Sequence, residues 1–320
     1  MDLVTGATGT LGKRVTQKLT AQGRTFRVLA RPGTDLRRLP PDAADVIWGT
    51  LDDPEALARA THGIDTIFHI AARVARGGNR AVFERDNVLA TETLLEAAEA
   101  GAVRRLVYVS SAGIYGSGAG TVTEATELDP RIEERGAYAW SKAEADRLVR
   151  DFAAHSRLEV IVIRPALLVG QGTPPFFARM HFPIPRSGGR RLVVARKAQL
   201  LPLTHVDSAA EAIVKAATQG TPGAAYNVID VLLPQDSWLN ALREAKRLPF
   251  RPVYVSPIVF KPVAAACDLV SKLIGRSLPL TRYKLKRATE SLRYTTAAAE
   301  EDLSWQPRSD LPTQVADEAV

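Results

Sequence analysis

The 320-residue chain predicts an α/β fold, a doubly wound parallel sheet with a smaller C-terminal lobe, on three observations. Short apolar runs alternate with helical stretches through the first half, which is the pattern of strands covered by crossover helices. With 46% apolar and 24% charged residues, the chain can bury a full core. The regular alternation fails after Pro165, where 170–185 is rich in Gly, Pro and Phe and marks the start of a region of different organisation.

Runs at 2–5, 25–30, 46–48, 66–70, 105–110 and 159–164 read as strands, each short, apolar and bounded by turn residues. Helices are predicted between them at 13–21, 54–61, 82–100 and 137–155. Leu94, Leu95, Ala97 and Ala98 recur at helical period, and Gly101 sits where a C-terminal cap belongs. Regularity returns at 201–217, a strand-like entry followed by a helix, and at 226–229. These late elements are expected to rejoin the main sheet.

Composition narrows the function classes. Cys267 is the one cysteine, so an intramolecular disulfide and a zinc site of paired thiolates are both excluded, and a reducing, cytoplasmic setting with no metal is expected. No uncharged apolar run reaches the roughly 20 residues of a membrane span. The chain enters a strand at Asp2, which predicts no signal peptide. The most apolar stretch, 253–274, is interrupted by Lys261, Asp268 and Lys272 and reads as an amphipathic or core helix rather than an anchor. The net charge of +7 is spread along the chain without interleaved aromatics, which argues against nucleic acid and for attraction of an anionic cofactor or substrate.

The first strand runs into Thr5-Gly6-Ala7-Thr8-Gly9-Thr10-Leu11-Gly12 and then into a helix. Small residues in that place let backbone N–H groups approach a pyrophosphate, and the helix N-terminus adds favourable dipole charge. Gly6, Thr8, Gly9, Thr10, Leu11 and Gly12 are therefore candidate dinucleotide-binding residues. At the end of the second strand, where NAD enzymes place an acid for the ribose, the chain reads Leu29-Ala30-Arg31. Arg31 can pair with a 2′-phosphate, which favours NADP(H) and leaves NAD(H) open. The competing reading makes Arg31 a solvated turn residue, with Thr34 or Asp35 at the ribose.

Tyr138 and Lys142 stand at i and i+4 on one helix face. A free tyrosine is a poor acid-base group at neutral pH, and an adjacent ammonium together with the cofactor's positive ring is expected to lower its pKa. Ser110-Ser111 follows the strand at 105–110, at the carboxyl edge where open α/β sheets bind ligands.

Together TGATGTLG, FHIAA (68–72), YVSSAGIYG (108–116), YAWSK (138–142) and IRPALLVGQG (163–172) resemble the extended short-chain dehydrogenase/reductase superfamily, of Rossmann-type fold. Asn87-Val88, Thr204-His205-Val206-Asp207 and Tyr226-Asn227-Val228 are similar to further landmarks in the expected order. The resemblance implies that Tyr138 is the general acid/base, that Lys142 lowers its pKa and holds the nicotinamide ribose, and that Ser111 orients the substrate oxygen. It also implies cofactor contacts for Thr50 and Leu51 near adenine, for the small Ala71 and Ala72, for Asn87, and for Pro165 near the nicotinamide. Thr50 stands where the family often has Asp. His69 is read as structural. The implied division is 1–169 as the dinucleotide-binding domain, with 201–230 returning to it, and 170–200 plus 231–320 as the substrate-binding lobe.

The stretches around Arg31, 68–72 and 283–307 are similar to the 3β-hydroxysteroid dehydrogenase-like and dihydroflavonol reductase-like branch. A ketone or secondary-alcohol oxidoreductase is the leading expectation. The alternatives are a nucleotide-sugar epimerase or dehydratase with tightly held NAD, and a non-catalytic cofactor-binding sensor. Sugar-nucleotide members commonly carry an Arg-Asp-aromatic run before His-Val; this chain has Leu201-Pro202-Leu203-Thr204 there, leaving Arg186, Arg190, Arg191 or Arg196 as substitutes. Phe176, Phe177, Met180, Phe182 and Trp238 are candidates to line an apolar pocket or to be plain core. Helices 82–100 and 137–155 are expected to pair in a homodimer.

Overall fold

Seven short strands pair in parallel in a computed structural model that describes residues 1–74, 79–116, 120–174, 181–184, 189–245, 248–274, 278 and 280–311. They are β1 (Asp2–Thr5), β2 (Phe26–Ala30), β3 (Asp45–Trp48), β4 (Thr66–His69), β5 (Arg105–Val109), β7 (Glu159–Pro165) and β12 (Ala225–Val228). Their order, β3-β2-β1-β4-β5-β7-β12, reverses direction between β1 and β4. That reversal is the topological switch point of a doubly wound sheet, where the crevice for a ligand opens.

The register explains why these strands are apolar on both sides. Leu3, Ile67, Leu106 and Val160 stand in one row, while Val4, Phe68, Val107 and Ile161 stand in the next. The first row packs on α2 (Pro54–Thr61), α4 (Ala90–Ala100) and α5 (Ala137–Ala153) through Leu57, Leu94, Leu95 and Val149. The second packs on α1 (Thr10–Ala21) and α6 (Val206–Gln219) through Val15, Leu19, Ala209 and Ile213. Val15 and Leu19 are one turn apart on α1 and fully buried, each worth roughly 1.5–3 kcal/mol of transfer free energy.

The helix expected at 82–100 begins earlier, at α3 (Arg80–Phe83), and reaches α4 through a widened π-helical turn at Glu84–Leu89. Such turns insert a residue and re-aim a side chain; here the buried residue within it is Asn87.

The smaller lobe contains two three-stranded sheets and their helices. One sheet joins β9 (His181–Pro183), β10 (Arg190–Val194) and β14 (Arg251–Val255); the other joins β8 (Leu167–Val169), β11 (Leu200–His205) and β13 (Val231–Pro234). A two-stranded pair links β6 (Thr121–Val122) with β15 (Arg293–Tyr294). Helices α7 (Gln235–Glu244), α8 (Lys261–Ile274), α9 (Arg282–Thr289) and α10 (Ala297–Leu303) complete the order.

Two placements differ from the sequence reading. Of the late elements, α6 and β12 join the large sheet, but β11 pairs with β8 and β13, because its partners' register buries Leu201 and Leu203 beside Trp238. Ala299, Leu303 and Trp305, grouped by sequence with the smaller lobe, sit in the core on the α6 side of the large sheet, where the Trp305 indole N–H donates to the Ser208 carbonyl at 3.1 Å.

Candidate active site

The glycine loop leaves β1 at the switch point. Gly6 has φ +75°, and a Cβ there would meet the Ala71 backbone nitrogen at 2.7 Å. A Cβ on Gly12 would come within 2.1 Å of the Gly6 carbonyl oxygen, so any larger residue would push α1 off the loop. Gly9 is the N-cap of α1, without a side-chain cap, and no acid stands in the first turn. The orphan N–H groups at this helix end therefore meet neither a capping side chain nor a carboxylate, the arrangement that suits a pyrophosphate. The loop is braced from across the crevice: Thr10 Oγ1 donates to the Gly172 carbonyl at 2.8 Å, and Arg14 donates to Gln171 Oε1 at 3.1 Å.

Ala71 is fixed by a buried relay. Its N–H donates to Thr5 Oγ1 at 3.3 Å, the Thr5 hydroxyl lies 2.8 Å from His69 Nδ1, and His69 Nε2 lies 3.0 Å from Thr91 Oγ1. Thr91 gives its proton to the Asn87 carbonyl at 2.7 Å, so it accepts from His69, which assigns the Nε2–H tautomer. Burial, then the charge of Lys142, draws His69 down to about 3, keeping it neutral. Its role in this relay is structural.

Asn87 spends its amide on protein partners. Oδ1 accepts from the Arg73 N–H at 2.6 Å, and Nδ2 donates to the Arg73 carbonyl at 3.2 Å and to Ser141 Oγ at 2.9 Å. It clamps the segment after Ala71 and Ala72 to α5, shaping the crevice wall. Thr50 and Leu51 follow β3, with the Thr50 carbonyl accepting from Asp53 N–H and Leu51 packing on the face of the sheet that α2 covers. Pro165 is buried at the end of β7, opposite Val228.

Arg31 is exposed at the end of β2, and among the described residues its guanidinium has no hydrogen-bond or ionic partner. Asp35 is engaged by Arg37, with contacts of 2.8–3.2 Å to both carboxylate oxygens. Arg38 donates to the Thr8 carbonyl at 3.2 Å, which puts a second cation on the glycine loop. The sequence reading did not single out Arg38; its signal is a pair of arginines shortly after β2.

Lys142 lies against the end of β5, Ser111 follows that strand, and Tyr138 stands one turn before Lys142 on α5. Lys142 Nζ donates to the Val109 carbonyl at 2.6 Å and to the Tyr108 hydroxyl at 3.0 Å, which pins α5 two residues before Ser111. Burial draws Lys142 from 10.5 down to about 7, with the negative charge of Asp146 opposing the fall. Tyr138 stands one turn earlier, edge-on to Phe83 with centroids 6.4 Å apart. Desolvation pushes Tyr138 up to about 12, although 36% of the residue stays exposed. Lys142 is turned onto Tyr108 and Val109. Ser111 Oγ accepts from the Gly113 N–H at 3.0 Å, leaving its own proton to donate.

Residues 3–228 match the NAD dependent epimerase/dehydratase family. The chain belongs to that family. The 4-hydroxy-2-methyl-3-oxo-4-farnesyl-3,4-dihydroquinoline-1-oxide ketoreductase of Stigmatella aurantiaca is 30% identical over 281 residues, 87% of this chain and 82% of that protein. A 2-alkyl-3-oxoalkanoate reductase of Shewanella oneidensis is 28% identical over 94% of this chain and 81% of its own. A dTDP-glucose 4,6-dehydratase structure from Streptomyces venezuelae, solved with NAD, superposes with a TM-score of 0.74 at 23% identity, covering 99% and 95% of the two chains. The family is one of NAD(P)-dependent enzymes, and the fold is theirs.

Behind the site, this epimerase/dehydratase-family member buries an ion pair. Arg164, immediately before Pro165, is bidentate to Asp146 at 2.7 and 3.0 Å and donates to the Tyr115 hydroxyl at 2.7 Å. Burial favours the neutral Asp146, but the Arg164 hydrogen bonds outweigh it and hold the carboxyl below the usual range. Asp146 lies one turn beyond Lys142.

Of the apolar pocket candidates, Trp238 is core, 2% exposed among Leu239, Leu242 and Leu201, and Phe182 is 43% exposed on β9. Phe176, Phe177, Met180 and Arg186 lie outside the described residues. A cavity of about 420 Å³ lined by Arg150, Arg157, Val160 and Pro222 opens at the opposite, amino-terminal edge of the sheet and is separate from this site.

The lysine shift gives a stability test. Between pH 7 and 10.5 the unfolded chain binds the Lys142 proton that the folded chain has released, so this group's destabilisation is full below 7 and fades as pH rises. Lys142→Met lacks that dependence. Its stability relative to wild type is expected to be greater at pH 6 than at pH 9 by roughly 2 kcal/mol, read from urea midpoints.

Proposed function

We propose that the protein is an NADP(H)-dependent oxidoreductase acting on a ketone or secondary alcohol of a small apolar substrate. The observation that carries this reading is Lys142 on the carbonyl of Val109, the last residue of β5, one turn from Tyr138 and two residues before Ser111. When bound, the dinucleotide supplies the hydride for reduction or accepts it in oxidation.

The chain's own groups handle the oxygen and the proton. With its pKa pushed to about 12, Tyr138 keeps its proton at neutral pH and can deliver it to an oxygen on which charge develops. Ser111 donates a second hydrogen bond to that oxygen. Lys142 has a third N–H beyond those given to Tyr108 and Val109, available to the ribose or to Tyr138, and near pH 7 it can itself take up or give a proton. Gly6, Gly9 and Gly12 with the α1 N-terminus hold the pyrophosphate, and Ala71, Ala72 and Pro165 form the wall along which the nicotinamide end lies.

Two features favour this over sugar-nucleotide chemistry. Leu201, Pro202, Leu203 and Thr204 are buried in β11, so no cation grips a diphosphate from that run. Arg31 and Arg38 flank the adenosine end, and the only nearby acid between them, Asp35, is taken by Arg37. The assembly we infer is a homodimer through helices 80–100 and 137–153, on whose outer side Leu89 is 49% exposed.

The test is titration with NADPH and NADH, followed by ketone and sugar-nucleotide panels. Selective NADPH binding with oxidation dependent on an added ketone is expected; turnover of a sugar nucleotide without net cofactor change, or binding with no turnover on any panel, overturns the reading. Arg31→Ala is expected to weaken NADPH by ~1.5–3 kcal/mol, about 10- to 150-fold, while leaving NADH nearly unchanged. Equal loss for both cofactors removes Arg31 from the 2′-phosphate site.

A further inference from the structure

Helix α8 is amphipathic in the wrong sense for a solvated surface. Its inward side is small or polar: Ala264 is fully buried, and Asp268 and Ser271 turn toward α9 and the segment before it. Asp268 pairs with Arg282 and accepts the Arg282 N–H at 3.2 Å, and Ser271 Oγ accepts the Leu278 N–H at 3.0 Å. The outward side is apolar. Leu273 is 78% exposed, Leu269 63% and Ile274 51%, and Ile258, just before the helix, is 64% exposed. A helix docked for its own sake buries its apolar face; this one buries its polar groups and presents leucines.

The charge around this stripe is equally lopsided. Residues 251–289 carry eight Lys or Arg and one acid, Asp268; Arg287 among them is buried and paired with Asp129 and Glu290, which leaves the rest of the segment strongly basic. Asp268 is already neutralised by Arg282. Arg251, Lys261 and Lys286 are exposed.

We propose that α8 and the preceding turn dock on an anionic lipid bilayer surface, with the leucines at the acyl boundary and the flanking cations among the headgroups. Both halves of the surface are matched by such a membrane. A second copy of this chain would set two strongly basic segments against each other, which disfavours self-association through the same face. Fourteen residues extend about 21 Å at 1.5 Å per residue, too short to cross a bilayer, so the helix lies along the interface. Among the described residues no helix is long and apolar enough to span a membrane. The proposal does not rest on the oxidoreductase reading.

The experiment is co-sedimentation of the full chain with phosphatidylcholine vesicles and with vesicles containing phosphatidylglycerol, at low and high salt. Salt-sensitive binding to the phosphatidylglycerol vesicles is expected. Leu269→Ser combined with Leu273→Ser, and separately Lys261→Glu combined with Lys286→Glu, should each lower partitioning by at least about tenfold, with cooperative unfolding unchanged. All four positions are exposed and make no core contact, so folding is not at stake. Failure to bind phosphatidylglycerol vesicles, or unchanged binding by either variant, overturns the proposal. So does loss of a dimer in the Leu269→Ser, Leu273→Ser protein without vesicle binding by wild type, which would assign the face to a second copy.

Discussion

Tyr138→Phe is expected to lower ketone turnover by roughly 10²–10⁴-fold while NADPH affinity stays within about twofold. The substitution removes one hydroxyl and keeps the ring against Phe83. The Lys142 contacts to Val109 and Tyr108, the glycine loop and the Asn87 clamp do not involve that hydroxyl. What is lost is the proton held at the crevice, so the effect should fall on kcat and leave cofactor binding and stability alone. A stopped-flow comparison of NADPH binding and single-turnover oxidation separates the two. Turnover near the wild-type rate would assign proton delivery to another group, with Ser111 and Lys142 the next to change.

Arg164→Leu should be the most destabilising single substitution proposed, by about 3 kcal/mol, because it strips the buried Asp146 carboxylate of its bidentate partner and leaves it the partly exposed Arg150. Asp146 is fully buried, and Arg164 also anchors the Tyr115 hydroxyl and the Glu124 carbonyl. The sign of the pH dependence follows from the direction of the carboxyl's shift. In the wild type the depressed Asp146 contributes stability above its unfolded value of 3.8 that is lost as pH falls through the folded value. In Arg164→Leu the partly exposed Arg150, 3.0 Å from Asp146 Oδ1, still opposes burial but the bidentate partner is gone, so the carboxyl rises and protonation relieves the variant as pH falls. Urea midpoints should therefore differ more at pH 7.5 than in acid. A gap that stays constant with pH would mean the loss comes from packing and the Tyr115 bond rather than from the stranded charge.

The order of elements and the glycine loop were legible because both are local. Strand and helix periods repeat over a few residues, and Gly6 and Gly12 answer close approaches within one strand-loop-helix unit, apart from Ala71. The strand limits shifted by a residue or so where the ladder, rather than the apolar run, ends pairing, as at Ile70 and Ser110. Late segments were less legible. β11 has the composition of a core strand, and only its partners decide that it pairs with β8 and β13. Trp305 reads as a lobe residue until its indole is seen beneath α6.

At the site, residue types and helical spacing by themselves determined that Tyr138 and Lys142 share one face of α5, that Ser111 follows β5, and that no acid follows β2 at Arg31. Only the tertiary structure decided what each side chain touches: Lys142 reaches Tyr108 and Val109 rather than Tyr138, Asn87 is spent on Arg73 and Ser141, Arg38 comes to the glycine loop, and α8 turns its leucines outward. The division is physical. Periodicity and turn chemistry act over a few residues and are written in the chain, whereas the partner of a lysine, an amide or an apolar face is fixed by groups far away in sequence, whose approach the fold alone sets.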